Sequence, residues 1–67
     1  MKNVKMLEHN VYATNDAGRN FRAIACTEDG ERVWRLAVEV KAGYQWDFVN
    51  GTQYATGEQA IMDCDLY

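Results

Sequence analysis

From Arg32 to Lys41 the side chains alternate without a break: Trp34, Leu36, Val38 and Val40 fall on one side, Val33, Arg35, Ala37, Glu39 and Lys41 on the other. A period of two sends successive side chains to opposite faces of a strand, and a face that is nearly all apolar has to be covered. This segment alone therefore demands a sheet with one buried side. Its flanks supply the neighbouring strands. Upstream, Asn20 to Thr27 alternates Phe21, Ala23 and Ala25 with Arg22, Ile24 and Cys26, and Glu28-Asp29-Gly30-Glu31 in between is a strong hairpin signal. Downstream, Ala42-Gly43 turns the chain into Tyr44 to Val49, where Tyr44, Trp46 and Phe48 alternate with Gln45, Asp47 and Val49. Aromatic and β-branched residues favour this conformation because they pack well on a pleated surface.

The ends complete the pattern. Leu7, His9, Val11 and Ala13 alternate with Met6, Glu8, Asn10, Tyr12 and Thr14, which predicts a first strand closed onto the next by Asn15-Asp16-Ala17-Gly18. Asn50-Gly51 is a second hairpin-type dipeptide, so Thr52 to Ala55 is expected to turn back as a short edge strand. Thr56-Gly57-Glu58-Gln59 then fits a capping box, with Thr56 as N-cap and Gln59 returning the hydrogen bond. The helix is expected from about Gly57 to Leu66, with Ala60, Ile61, Cys64 and Tyr67 as its apolar stripe. Asp63 and Asp65 oppose the dipole at its C-terminal end, so that end should fray unless a basic group meets them. The fold class predicted is α+β: a four-stranded antiparallel β-meander with one C-terminal α-helix packed on one face. The 67 residues make one domain, residues 1–67. The other face of the sheet is left open to solvent, a partner or a second copy.

What is missing narrows the chemistry. There is no Ser, which removes Ser-based nucleophiles, and the one His, His9, excludes paired-imidazole chemistry and His-rich metal sites. No catalytic residue, metal ligand set or cofactor site is expected, and a non-enzymatic role follows. No apolar run approaches a membrane span of roughly 20 residues, and no secretory signal is present, so a cytoplasmic location is expected. There Cys26 and Cys64 read first as two core thiols, with a disulfide pinning the C-terminal segment to the sheet as the alternative.

Charge is unevenly spread. Residues 1–41 hold all 7 Lys and Arg with six carboxylates, whereas residues 42–67 hold Asp47, Glu58, Asp63 and Asp65 and no basic residue, within a net charge of −3. An acidic third repels phosphate backbones and attracts basic surfaces, which argues against nucleic acid as the partner. The aromatics Tyr44, Trp46, Phe48 and Tyr54 crowd the same third. Packing beneath the helix is the simplest use for them, a protein interface the next, and base stacking the last. The candidate partner-binding set is Tyr44, Trp46, Asp47, Tyr54, Glu58, Asp63 and Asp65, facing a larger host protein complex with a basic surface. Arg22, Arg35 and Lys41 lie on the central strands, where cross-strand ion pairing is the simplest account. A small nucleic-acid-binding module using them, or a regulatory subunit that self-associates as a homodimer, are the alternative readings.

The strand-turn-strand segment Phe21–Val40, the strand after it and the capped short helix at Thr56-Gly57-Glu58-Gln59 resemble a class of very small single-domain proteins. These are the inhibitors with which bacteriophages and other mobile elements disable host machinery, anti-CRISPR proteins among them. The likeness covers roughly residues 20–67, together with size, mild acidity and the lack of catalytic residues. It implies an inhibitor that acts by binding, covering a nucleic-acid-binding or subunit-docking surface of a larger complex.

Overall fold

A computed structural model describes all 67 residues. The sheet is an antiparallel meander of five strands in sequential order: β1 Lys2–Met6, β2 Asn10–Thr14, β3 Asn20–Glu28, β4 Glu31–Lys41 and β5 Gln45–Phe48. A helix, α1 (Gly57–Met62), crosses one face and passes into a 3-10 turn over Asp63–Leu66.

The strand count corrects the four expected. Met6 to Thr14 is not one strand but the junction of two, turned at Leu7-Glu8-His9 by a bond from Leu7 N–H to Asn10 C=O of 2.8 Å. Its unbroken alternation concealed the turn. In β1 the pattern is itself broken by an irregularity between Lys2 and Lys5, where Asn3 takes φ 56°. The edge strand expected at Thr52–Ala55 contracts to a single bridge between Tyr54 and Trp34. Thr52 N–H bonds Asn50 Oδ1 at 3.0 Å, an Asx-type turn that replaces the hairpin.

Other local expectations hold. Asp29 and Gly30 both have positive φ, 53° and 79°, the pairing that a two-residue hairpin needs to match strand twist. Thr56 is extended and its hydroxyl accepts from Gln59 N–H at 3.1 Å, capping α1, while the return bond to the Gln59 side chain that would complete the capping box does not form.

The register fixes the core. Val11 faces Ala23, Ala23 faces Leu36, Ala13 faces Phe21 and Phe21 faces Val38, so these side chains share the helix-covered face. Ala60, Ile61 and Cys64 close over them, with Trp34, Val49 and Tyr54 packed at the margin. The helix starts in close contact with the sheet: a Cβ on Gly57 would lie 2.8 Å from Val11 Cγ2 and 3.0 Å from the Trp34 ring. Val40 leaves the core and is exposed, because β4 bulges between Glu39 and Lys41.

The helix keeps its α form for one and a half turns only. Its last residues tighten into 3-10 geometry and are tied down rather than frayed. Buried Asn15, in the β2–β3 turn, donates to Cys64 C=O at 3.1 Å and accepts from Arg19 N–H at 2.8 Å. Asp65 accepts from Asp16 N–H at 3.0 Å and from the Met1 ammonium at 3.1 Å, and that ammonium also meets Asp16 at 3.0 Å. The cation that the acidic helix end required is thus the backbone amine of Met1.

Candidate binding face

The face of the sheet opposite the helix has no element packed over it, so whatever is exposed there is free to be touched. Cross-strand partners share a face, and the register puts Lys5, Tyr12, Arg22, Ala37 and Phe48 in one row across all five strands. Beside it run Lys2, Thr14 and Asn20, with Glu39 in register with Trp46.

Arg22 sits at the centre. Its guanidinium carbon is 4.7 Å from the Trp46 ring centroid and 6.0 Å from that of Tyr12, and the two rings meet edge to face at 6.2 Å. A cation held within about 6 Å of aromatic faces is attracted by the ring quadrupoles. No carboxylate comes within salt-bridge distance of Arg22, and its Nε is buried without a hydrogen-bond partner. Flanked in register by Arg22 and Phe48, the small Ala37 is buried although it faces away from the helix.

Arg35 makes an instructive contrast. It lies 4.8 Å from the Phe48 centroid, but Glu28 neutralises it through contacts of 2.9 and 3.2 Å from Nη1, and Gln53 also donates to Glu28. The cross-strand ion pairing expected for the central arginines therefore holds for Arg35 and not for Arg22. Lys41 does not join them. Beyond the β4 bulge it pairs with Gln45, whose side chain points away from Trp46.

At the other side of the Tyr12–Trp46 pair a depression of about 380 Å³ is lined by Asn3, Tyr12, Thr14, Asn20, Glu39 and Trp46. Its polar floor is a chain of hydrogen bonds running one way. Asn3 donates to Thr14 (3.4 Å), Thr14 to Asn20 (2.8 Å) and Asn20 to Glu39 (3.2 Å), while Gly43 N–H fixes the far oxygen of Glu39 at 3.1 Å.

The residues proposed from sequence divide between the two sides of the sheet. Trp46 lies on the open face, so the packing of the aromatics beneath the helix is corrected for Trp46 and Phe48, which the register with Glu39 and Ala37 turns away from the core, and holds for Tyr54, which packs at the core margin. Tyr44, at the turn before β5, is 76% exposed. Asp47 faces Val38 on the helix side, exposed, and Glu58 is exposed in the first helical turn. Tyr54 is half-buried, and its hydroxyl donates to Asp63 at 2.6 Å. Burial, followed by the Asp63 contact, pushes the Tyr54 phenol up from its ordinary value. Asp63 and Asp65 are both engaged internally, and the Met1 ammonium hydrogen bond holds the Asp65 carboxyl below the usual range.

Sequence reasoning missed Tyr12, Lys2 and Lys5 as members of the open face. Tyr12 had the right parity in the alternation, but β1 carried no readable pattern. The two cysteines are free, Cys64 in the core with its thiol pushed up by burial and Cys26 half-buried. No helix is long and apolar enough to cross a membrane. Comparison with protein-family models, with curated proteins and with solved structures gives no match.

Proposed function

We propose that the protein is a non-enzymatic binding module that docks on another protein through the open face of its sheet, and that it inhibits or modulates a larger assembly by covering one of its surfaces. The observation that carries this reading is Arg22, a guanidinium without an anion, held between Tyr12 and Trp46 on an uncovered face. Trp, Tyr and Arg dominate binding hot spots, and a side chain already fixed by its neighbours loses less freedom on binding. With Arg35 and Glu28 neutralising each other, Lys2, Lys5 and Arg22 stand there against Glu39 and, at the hairpin end, Glu31, so the face keeps a cationic excess around Arg22 and the partner surface that fits is one presenting a carboxylate beside apolar groups.

This shifts the contact from the acidic set to the aromatic one. Asp63 and Asp65 have internal partners, which leaves Asp47 and Glu58 as free carboxylates on the opposite side. The likeness to small mobile-element inhibitors points to the same mode of action, and two free thiols accord with a reducing, cytoplasmic setting. The second reading, a single-stranded nucleic acid laid across the face, is favoured by one observation: Lys2 and Lys5 lie in register beside the aromatics.

The test is affinity capture from host lysate with wild-type and Arg22→Glu baits, each with and without nuclease. A stoichiometric protein retained after nuclease by the wild type and lost with Arg22→Glu is the expected result. Capture that disappears with nuclease transfers the face to nucleic acid, and capture indifferent to Arg22→Glu removes the open face from the mechanism.

A further inference from the structure

The sheet has two outer edges, and they are built differently. Along β1, Lys2 and Lys5 and the left-handed backbone at Asn3 (φ 56°) interrupt the strand, which are the usual devices against edge pairing. Along β5 there is neither Lys, Arg nor Pro, and Gln45-Trp46-Asp47-Phe48 is rich in aromatic residues. From this contrast we infer that β5 is a self-pairing edge, joining a second copy of this chain as an antiparallel strand centred on Trp46. The inference does not depend on what the open face binds.

Three features of β5 select that register. Val49 N–H donates to Leu36 C=O at 3.0 Å in line with the pairing of Val38 and Asp47. Antiparallel ladders alternate, so the amide and carbonyl of Asp47 turn toward β4 while those of Trp46 and Phe48 point outward. Pairing Trp46 with the second copy's Trp46 therefore makes a doubly hydrogen-bonded pair on a two-fold axis. Parity is the second feature. This register keeps Trp46 and Phe48 of both copies on one face, with Phe48 brought beside the turn of the second copy that holds its Tyr44, whereas a one-residue slip would turn one sheet over. Charge is the third. Each Asp47 comes opposite a Gln45, whereas the register shifted by two residues toward Phe48 sets Asp47 directly against Asp47, which is destabilising, and the shift the other way pairs Trp46 with Tyr44 of the turn, outside β5. The pairing would also cover Tyr44 and Phe48, now 76% and 52% exposed. The result is a continuous sheet whose open face carries two Arg22–Trp46 pairs side by side.

Gln45 is exposed, and its cross-strand partner within the chain is Lys41, which favours Glu and disfavours Lys at this position, the opposite of the order expected across the dimer. Gln45→Glu sets two like-charged pairs against Asp47, and Gln45→Lys sets two opposite ones. Sedimentation equilibrium should show the mass doubling with concentration. The dissociation constant should rise roughly twofold to thirtyfold with Gln45→Glu and fall with Gln45→Lys, two pairs at ordinary cross-strand strength. Amide exchange at Trp46 and Phe48 should slow as the dimer fills. A chain that stays monomeric to about 1 mM, far above what a specific contact needs, overturns the proposal. So does a dimer in which the two variants shift affinity the same way, or one that protects the amides of β1 instead.

Discussion

The guanidinium of Arg22 stacks 4.7 Å from the Trp46 ring, and the two residues belong to strands that are not adjacent, β3 and β5. The small side chain of Ala37 on β4, between them, is what lets them meet: a larger residue there would occupy the space across which Arg22 reaches. On the proposed reading one contact serves both packing and binding, since the cation that would meet a partner also lies over Ala37.

The strength of that contact can be measured directly. A double-mutant cycle of Arg22→Ala and Trp46→Ala, followed by urea unfolding, should return a coupling of about 0.5–1 kcal/mol, the range for a partly exposed cation–aromatic pair. Arg22→Lys should recover only part of it, because an ammonium lacks the planar stacking surface. A coupling near zero would mean that the two side chains do not hold each other.

Gly57 tests the helix–sheet contact. A methyl group there would meet Val11 Cγ2 at 2.8 Å and the Trp34 ring at 3.0 Å. Helix propensity favours Ala over Gly, but steric overlap in a packed core outweighs it, so Gly57→Ala should destabilise by about 1–3 kcal/mol. Gly51 faces open space, and Gly51→Ala should leave the urea midpoint nearly unchanged. Equal effects at the two positions would show that the approach of α1 is looser than described.

Much of this architecture is legible in the residues, and the failures have physical causes. The β3–β4 hairpin was readable because Asp29-Gly30 and the alternation of Trp34, Leu36 and Val38 agree at two levels, turn chemistry and burial. β1 was not, because every residue in it is exposed and no apolar face marks its period. The open-face site was half legible. Periodicity placed Trp46 and Phe48 on one side of β5, but which side depends on the register with β4, and register is a tertiary property. The acidic C-terminus looked like a free surface for the same reason: the sequence shows Asp63 and Asp65, not the Tyr54 hydroxyl and the Met1 ammonium that fold back to meet them.

Asn15 should be among the least replaceable polar residues. It is 1% exposed and joins the β2–β3 turn to the helix end through one donated and one accepted hydrogen bond. Asn15→Ala leaves Cys64 C=O and Arg19 N–H without those partners, at a cost of about 1–3 kcal/mol for each group that stays buried and unsatisfied. Thermal denaturation should show the loss, and amide exchange should place it in Asp63–Leu66 first. A variant as stable as the wild type would mean that water replaces both bonds.

The Met1–Asp65 pair gives the stability a definite pH dependence. The ammonium hydrogen bond, with a further bond from Asp16 N–H, depresses the folded carboxyl of Asp65. A depressed folded value contributes stability that is present above the ordinary carboxylate range and lost as pH falls through the folded value. The hydrogen bond to Asp16, followed by the one to Asp65, raises the Met1 ammonium, whose contribution is present below its ordinary value and lost as pH rises through the raised one. Both contributions are in place only in the interval between, around neutrality. Thermal midpoints measured across pH should therefore show a plateau there with a fall on either side. Asp65→Asn removes the charge that the acid limb depends on and the lesser of the two partners behind the alkaline limb, so it should lower the plateau and flatten the acid limb, while the alkaline limb persists chiefly through Asp16. Unchanged limbs in Asp65→Asn would show that the helix end is held by Asn15 alone.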